Sequence, residues 1–106
     1  LNTYKDGKGD DKTVCASLYS PKSGILLEVF TNEPGIQVYT GNFQGTGIAC
    51  KHVIKYPKHV SVCFESQKYP DSPTKIAQGV KDWTDATLKP GEKYYSHLAY
   101  KFSVKK

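Results

Sequence analysis

The sequence contains no arginine, no methionine and a single tryptophan among its 106 residues. All fifteen basic residues are lysines, against ten acidic ones, for a net charge of +5. Without a guanidinium fork the chain lacks a bidentate reader of phosphate or of guanine, and its lysines are scattered rather than grouped. No nucleic-acid partner is expected, and the charge reads as a solvated basic surface. No run approaches the ~20 apolar residues of a membrane-spanning helix, so no membrane partner is expected either. No basic segment leads into an apolar one, so no signal peptide is expected in these residues. The absence of methionine, with Leu1 first, points to processing or to a piece of a longer chain.

Cysteine is also scarce. Cys15, Cys50 and Cys63 are odd in number and form no CxxC. Reduced thiols in a cytoplasmic protein are the expectation. Only Cys50 with His52 comes near the tight spacing of a zinc site, and no metal is expected. The apolar fraction, 38%, is lower than the ~45–50% of an average globular chain, but 12% aromatic content argues against disorder. The length suits one domain or part of a larger one. Residues 1–106 are read as a single all-β unit.

What is present is alternation. Residues 1–12 are polar, with Gly7 and Gly9, and read as a loop. Thr13–Tyr19 and Ile25–Thr31 read as strands joined over the Ser20–Gly24 turn, where Pro21 sets φ and Gly24 is free to adopt a positive φ. Asn32–Gly35 is a second turn, and Ile36–Thr40 a third strand with Gln37 and Tyr39 on one face. The glycine-rich stretch Gly41–Gly47 lacks the spacing of a phosphate loop. Ile48–Ile54 reads as a short strand. His59–Gln67 alternates Val60, Val62 and Phe64 against Cys63, Glu65 and Gln67. A long irregular segment follows to Thr87. Tyr94–Val104 alternates as a half-buried strand, with Tyr94, Leu98, Tyr100, Phe102 and Val104 on one side. No window carries sustained helical periodicity with caps. The chain reads as all-β, an antiparallel β-sandwich or part of one.

One carboxylate stands out. Glu65 directly follows Val-Cys-Phe, and a carboxylate held among apolar side chains loses hydration, which makes it a better general base near neutral pH. A glutamate on the solvated face of an edge strand would have the same local pattern. His52, His59 and His97 make no close motif with an acid or nucleophile and read as surface histidines. The serines lack a GxSxG elbow. Tyr39 and Tyr69 are placed either to stack on a sugar ring or to serve as amphipathic wall residues.

Taken together, three ordered blocks resemble the aldose 1-epimerase, or galactose mutarotase, family. LEVFTNEPGIQVYTGNF (Leu27–Phe43) resembles that family's "LEV-T-EPG-Q-YTGNF" block. YPKHVSVCFESQKYPDSP (Tyr56–Pro73) resembles "-KHSG-CLETQ-FPDSPN", and LKPGEKYYSHLAYKFS (Leu88–Ser103) resembles "L-PGE-Y---T-Y-FS". CASLYSPKSG (Cys15–Gly24) is similar to the "A-L--P-SGR" hairpin. The resemblance covers nearly the whole chain but only the C-terminal third of the family's fold, a large antiparallel β-supersandwich. It departs at Val60-Ser61 for "SG", at Ser66 for the threonine of "ETQ", at Thr74 for the asparagine after "PDSP", and in a longer Thr74–Thr87 segment.

The resemblance implies a function. Glu65 takes the place of the family's catalytic base, and Gln37 that of a glutamine that touches the sugar. No cofactor is implied. The acid histidine, a second sugar-binding histidine and a sugar-binding aspartate lie upstream in family members. His59 matches a His or Arg beside the strand that is not the acid. The implied activity is interconversion of α and β anomers of an aldohexose such as galactose or glucose. The implied partners are that sugar and the remainder of the mutarotase fold, as an upstream segment or a second chain. The alternative is a shortened, non-catalytic homologue that binds a sugar or a protein.

Overall fold

The computed structural model describes residues 1–45 and 47–106; Thr46, within the glycine-rich stretch, lies outside the described residues. The chain divides into two compact units, one of Leu1–Gly35 with Ser66–Lys106 and one of Ile36–Glu65. The strands are β1 (Tyr4–Lys5), β2 (Lys8–Gly9), β3 (Ala16–Tyr19), β4 (Ile25–Thr31), β5 (Gly35–Tyr39), β6 (Cys63–Gln67) and β7 (Leu98–Val104), with one short helix, α1 (Ser72–Ala77). The chain is thus all-β in character. The β1–β2, β3–β4 and β4–β7 pairings are antiparallel.

The first unit is organised on β4, which has β3 on one side and β7 on the other. β4 is rich in Ile, Leu, Val, Phe and Thr, the residues that suit a pleated, half-buried surface. The β3–β4 connection is the turn read from sequence: Gly24 has φ +74° and its N–H donates to the Ser20 carbonyl at 2.8 Å. Register places Ala16, Val29 and Tyr100 in one row across the sheet, and Leu18, Leu27 and Phe102 in the next. Because opposed residues share a face, the two neighbouring Leu98–Thr31 and Val104–Ile25 pairs belong to that same apolar side. The opposite side carries Ser17, Glu28 and Lys101, and the last two form an ion pair of 3.6 Å across the strands.

Val29 is fully buried, and burial of such a side chain contributes about 1.5–3 kcal/mol. Thr31 on the same side is buried too, but much of that side is open. Phe102 and Val104 are 68% and 66% exposed, and Leu18, Ile25 and Leu98 are exposed as well. The expected half-burial of Tyr94–Val104 is therefore corrected: its alternation is present, but within this chain the large side chains face outward and the small Ala99 and Ser103 are the better covered. The strand itself begins at Leu98 rather than Tyr94.

The structure differs from the sequence reading in four other segments. Residues 1–12 are not a bare loop, because β1 and β2 form a hairpin around Asp6-Gly7. Both residues have positive φ, 51° and 76°, as a two-residue Asp-Gly turn of the type I′ class requires. Ile48–Ile54 is not a strand. It closes on itself through an Ala49–Lys55 bridge around a 3₁₀ turn at Lys51–Val53, with positive φ at His52 and Val53. The strand expected from His59 starts at Cys63, since His59 itself has φ +61°. The segment after Tyr69 contains α1, where proline in the first turn costs no intrahelical hydrogen bond, because N–H groups there have no partner within the helix.

The turn after β4 is buried, which is unusual for a connection. Thr31, Glu33, Pro34 and Gly35 are all buried. Several of its polar groups find partners. The Glu33 N–H donates to the Thr31 hydroxyl at 3.1 Å. The Asn32 side-chain oxygen accepts from the His97 N–H at 2.8 Å. The Leu1 nitrogen donates to the Pro34 carbonyl at 2.7 Å. The hairpin approaches this turn so closely that a Cβ at Gly9 would collide with the Asn32 backbone. Gly9→Ala should therefore lower stability by about 1–3 kcal/mol, read as a lower urea midpoint. An unchanged midpoint would show that the hairpin does not rest on the turn.

Candidate active site

The second unit holds both residues singled out from the sequence. Gln37 lies at the middle of β5 and Glu65 at the middle of β6. β5 and β6 are hydrogen-bonded neighbours in a two-stranded sheet. The fold thus brings onto adjacent strands two residues that are 28 positions apart in the chain. Gln37 and Glu65 are both exposed, as is Val38 beside Gln37, while Ile36 and Phe64 are partly covered. A glutamine supplies both a donor and an acceptor, and an ionised glutamate supplies acceptors only. A glutamine can therefore orient a hydroxyl-bearing molecule, and a glutamate can take a proton from one.

The apolar enclosure expected around Glu65 is not supplied by these residues. Its carboxylate is exposed, and so is the preceding Cys63. A strand in a two-stranded sheet has one face without cover unless another layer packs on it.

Short hydrogen bonds hold the ends of the two strands in place. The Tyr39 hydroxyl accepts from the Phe43 N–H at 3.1 Å, folding the chain back just beyond β5. The His59 Nδ1 lies 3.0 Å from the Thr40 carbonyl. A carbonyl can only accept, so Nδ1 carries a proton in this contact. The Gln44 amide and the Ser61 hydroxyl exchange hydrogen bonds at 3.0 and 3.2 Å. Both the Gln44 and the His59 N–H groups donate to the Gly41 carbonyl at 3.2 Å. Gly41 is buried, with φ +76°, and a side chain there would run into Gln44. The glycine in this loop thus serves chain packing ahead of β6, in keeping with the lack of a phosphate-loop spacing.

The other candidates fall elsewhere. His52 sits on the 3₁₀ turn and is exposed. His97 faces the Asp11 carboxylate at 3.2 Å. Tyr69 packs in the first unit against Trp83, with ring centroids 5.2 Å apart, and its hydroxyl donates to the Pro34 carbonyl at 3.5 Å. Among the described residues, no group of three or more His, Cys, Asp or Glu could hold a metal ion. No helix among them is long and apolar enough to cross a membrane. Sequence reasoning passed over Glu33, which is 4% exposed. Its place between asparagine and proline reads as a surface turn, and only the packing of the hairpin and of Lys68 around it reveals otherwise.

All three cysteines are free. Burial raises the Cys15 thiol above its ordinary pKa, and its Sγ lies 3.2 Å from the Val29 carbonyl as a donor. Cys50 and Cys63 are exposed. Because the thiolate is the reactive form, iodoacetamide at pH 8 should label Cys50 and Cys63 before Cys15 in the folded protein. Mass spectrometry of the timed digest checks the order, and equal rates at all three would contradict the burial of Cys15.

The sequence model of a family described as aldose 1-epimerase matches residues 2–101. The chain is 40% identical over 94 residues to the galactose mutarotases of Mus musculus and Bos taurus, an overlap covering 89% of this chain and 26% of each relative. It is 36% identical over 97 residues to the aldose 1-epimerase of Escherichia coli (strain K12), covering 90% of this chain and 26% of that relative. The chain therefore spans about a quarter of the length of these relatives.

Proposed function

The chain belongs to the aldose 1-epimerase family, and on that premise we propose that it forms the base-bearing part of an enzyme that interconverts the α and β anomers of an aldohexose. The observation that carries the reading is the family match across the blocks that contain Gln37 and Glu65, on two strands that lie side by side.

In the proposed reaction the Glu65 carboxylate accepts the proton of the C1 hydroxyl. As O1 becomes a carbonyl oxygen, the C1–ring oxygen bond breaks, and the ring oxygen takes a proton from an acid. The open-chain aldehyde turns its other face, the ring oxygen adds back to C1, and the two protons return. Base and acid exchange roles in the second half, so each needs only one proton and no group is consumed. Gln37 would hold a sugar hydroxyl so that C1 lies over the base. By the family resemblance, the acid is a histidine from an upstream segment.

The open side of the first sheet supports the same reading. Leu98, Phe102 and Val104 form an apolar strip of the kind that a further layer of chain covers. In this proposal the remainder of a mutarotase fold, upstream or in a second chain, covers it, and residues 1–106 are one part of a larger β-domain. Glu65 would likewise need enclosure by further chain to act as a base near neutral pH.

In the intact protein, Glu65→Gln keeps the side-chain shape and removes the basic carboxylate. It should lower kcat by ~10² or more, the usual scale for loss of a general base. Gln37→Ala should mainly raise KM, because it removes a binding contact rather than a proton acceptor. Polarimetry of freshly dissolved α-galactose and α-glucose reads both variants and the sugar preference. Near-normal turnover in Glu65→Gln would remove Glu65 from the mechanism.

A further inference from the structure

The first unit contains a cleft of about 350 Å³ between the β1–β2 hairpin and the buried turn, within the ~300–1,000 Å³ typical of small-molecule sites. Its walls include Tyr4, Lys8, Asn32, Glu33, Lys68 and Tyr95, and the hairpin's glycines leave its near side without side chains. Glu33 is only 4% exposed, and its Oε2 has no hydrogen-bond donor. The nearest cation, the Lys68 ammonium, stands 3.7 Å from that oxygen, beyond hydrogen-bonding distance. A buried acceptor left in this state is costly, and here it lines a cavity.

We propose that this cleft binds a neutral polyhydroxylated ligand, a pyranose or a similar polyol, at a site separate in its residues from Glu65 and Gln37. The charges select the class. An anionic ligand meets the buried Glu33, and a cationic one meets Lys68 and Lys8. A hydroxyl satisfies both signs, since it donates to a carboxylate and accepts from an ammonium with the same oxygen. One oxygen placed about 2.8 Å from each partner spans the gap between Glu33 Oε2 and the Lys68 ammonium. The Asn32 side-chain oxygen already accepts from the His97 N–H, and Glu33, Lys68 and Lys8 are the charged anchors. The rings of Tyr4 and Tyr95 supply flat apolar faces with polar tips, suited to the C–H face of a sugar. Tyr95 is 72% exposed, so a bound ring would cover apolar surface that is now wet.

The probe is methyl β-D-galactopyranoside, whose blocked anomeric oxygen cannot open and therefore tests binding without mutarotation. Titrated into the ¹⁵N-labelled protein, it should give saturable amide shifts centred on Tyr4, Lys8, Asn32 and Lys68, with an apparent Kd on the millimolar scale. Glu33→Gln should weaken binding about tenfold or more, through loss of a charged acceptor. Should that buried substitution perturb the fold, the exposed changes Lys8→Ala and Tyr95→Ala probe the same cleft and should each weaken binding several-fold. Methyl β-D-glucuronide and glucosamine should both bind more weakly than the neutral glycoside. The proposal is overturned by shifts confined to the neighbourhood of Gln37 and Glu65, by no saturable shift, by unchanged affinity in Tyr95→Ala, or by tighter binding of either charged sugar. None of these results bears on whether Glu65 is the base, which polarimetry reads independently.

Discussion

The buried turn from Thr31 to Gly35 is the constraint on which the first unit depends. A connection placed inside a protein must find partners for its backbone polar groups, and here the partners come from distant parts of the chain. Asn32 pairs through main chain and side chain with His97, at the entry to β7. The Pro34 carbonyl gathers the Leu1 nitrogen and the Tyr69 hydroxyl. Pro34 has no N–H to satisfy, and a side chain on Gly35 would press on the Tyr69 ring. The residue types of this turn are those that a buried connection tolerates, and the turn hands the chain from β4 to β5.

From that point the two candidate residues follow by strand geometry. Gln37 is two residues beyond Gly35, so it lies on the same face of β5 as the glycine. Glu65 is the central residue of β6, the strand paired with β5. The loop bonds at Gly41, Gln44, His59 and Ser61 fix the chain just ahead of β6. Placement on paired strands rather than on loops favours precise geometry between a base and a binding residue.

The same architecture leaves two kinds of unfinished surface. One is the apolar side of the β3–β4–β7 sheet, where large side chains face outward. The other is polar, the Glu33 carboxylate in its cleft. They call for different complements. Apolar surface is satisfied by any well-packed layer, because the hydrophobic effect has no direction. A buried acceptor needs a donor at a set distance and angle. The strip therefore points to more protein, and the carboxylate to a specific ligand group.

The sequence by itself determined the all-β character, β4 to the residue, the Ser20–Gly24 hairpin turn and the placement of Glu65 and Gln37 on strands. Each follows from local rules, two-residue periodicity and the φ preferences of proline and glycine, which operate within a few residues. The Asp6-Gly7 hairpin was also legible by those rules, although the polar composition around it suggests a loop. The three matching blocks identified the family for the same reason, since their residues lie close together in the chain. Tertiary structure alone decided the rest. The Ile48–Ile54 alternation became a turn because it closes on itself rather than on a partner strand. The alternation of β7 could not say which face is covered, because cover comes from whatever packs against it. The exposure of Glu65 and the burial of Glu33 both reverse what their neighbours in sequence suggest. Desolvation is a property of the space around a side chain, and residues remote in the chain fill that space or leave it open.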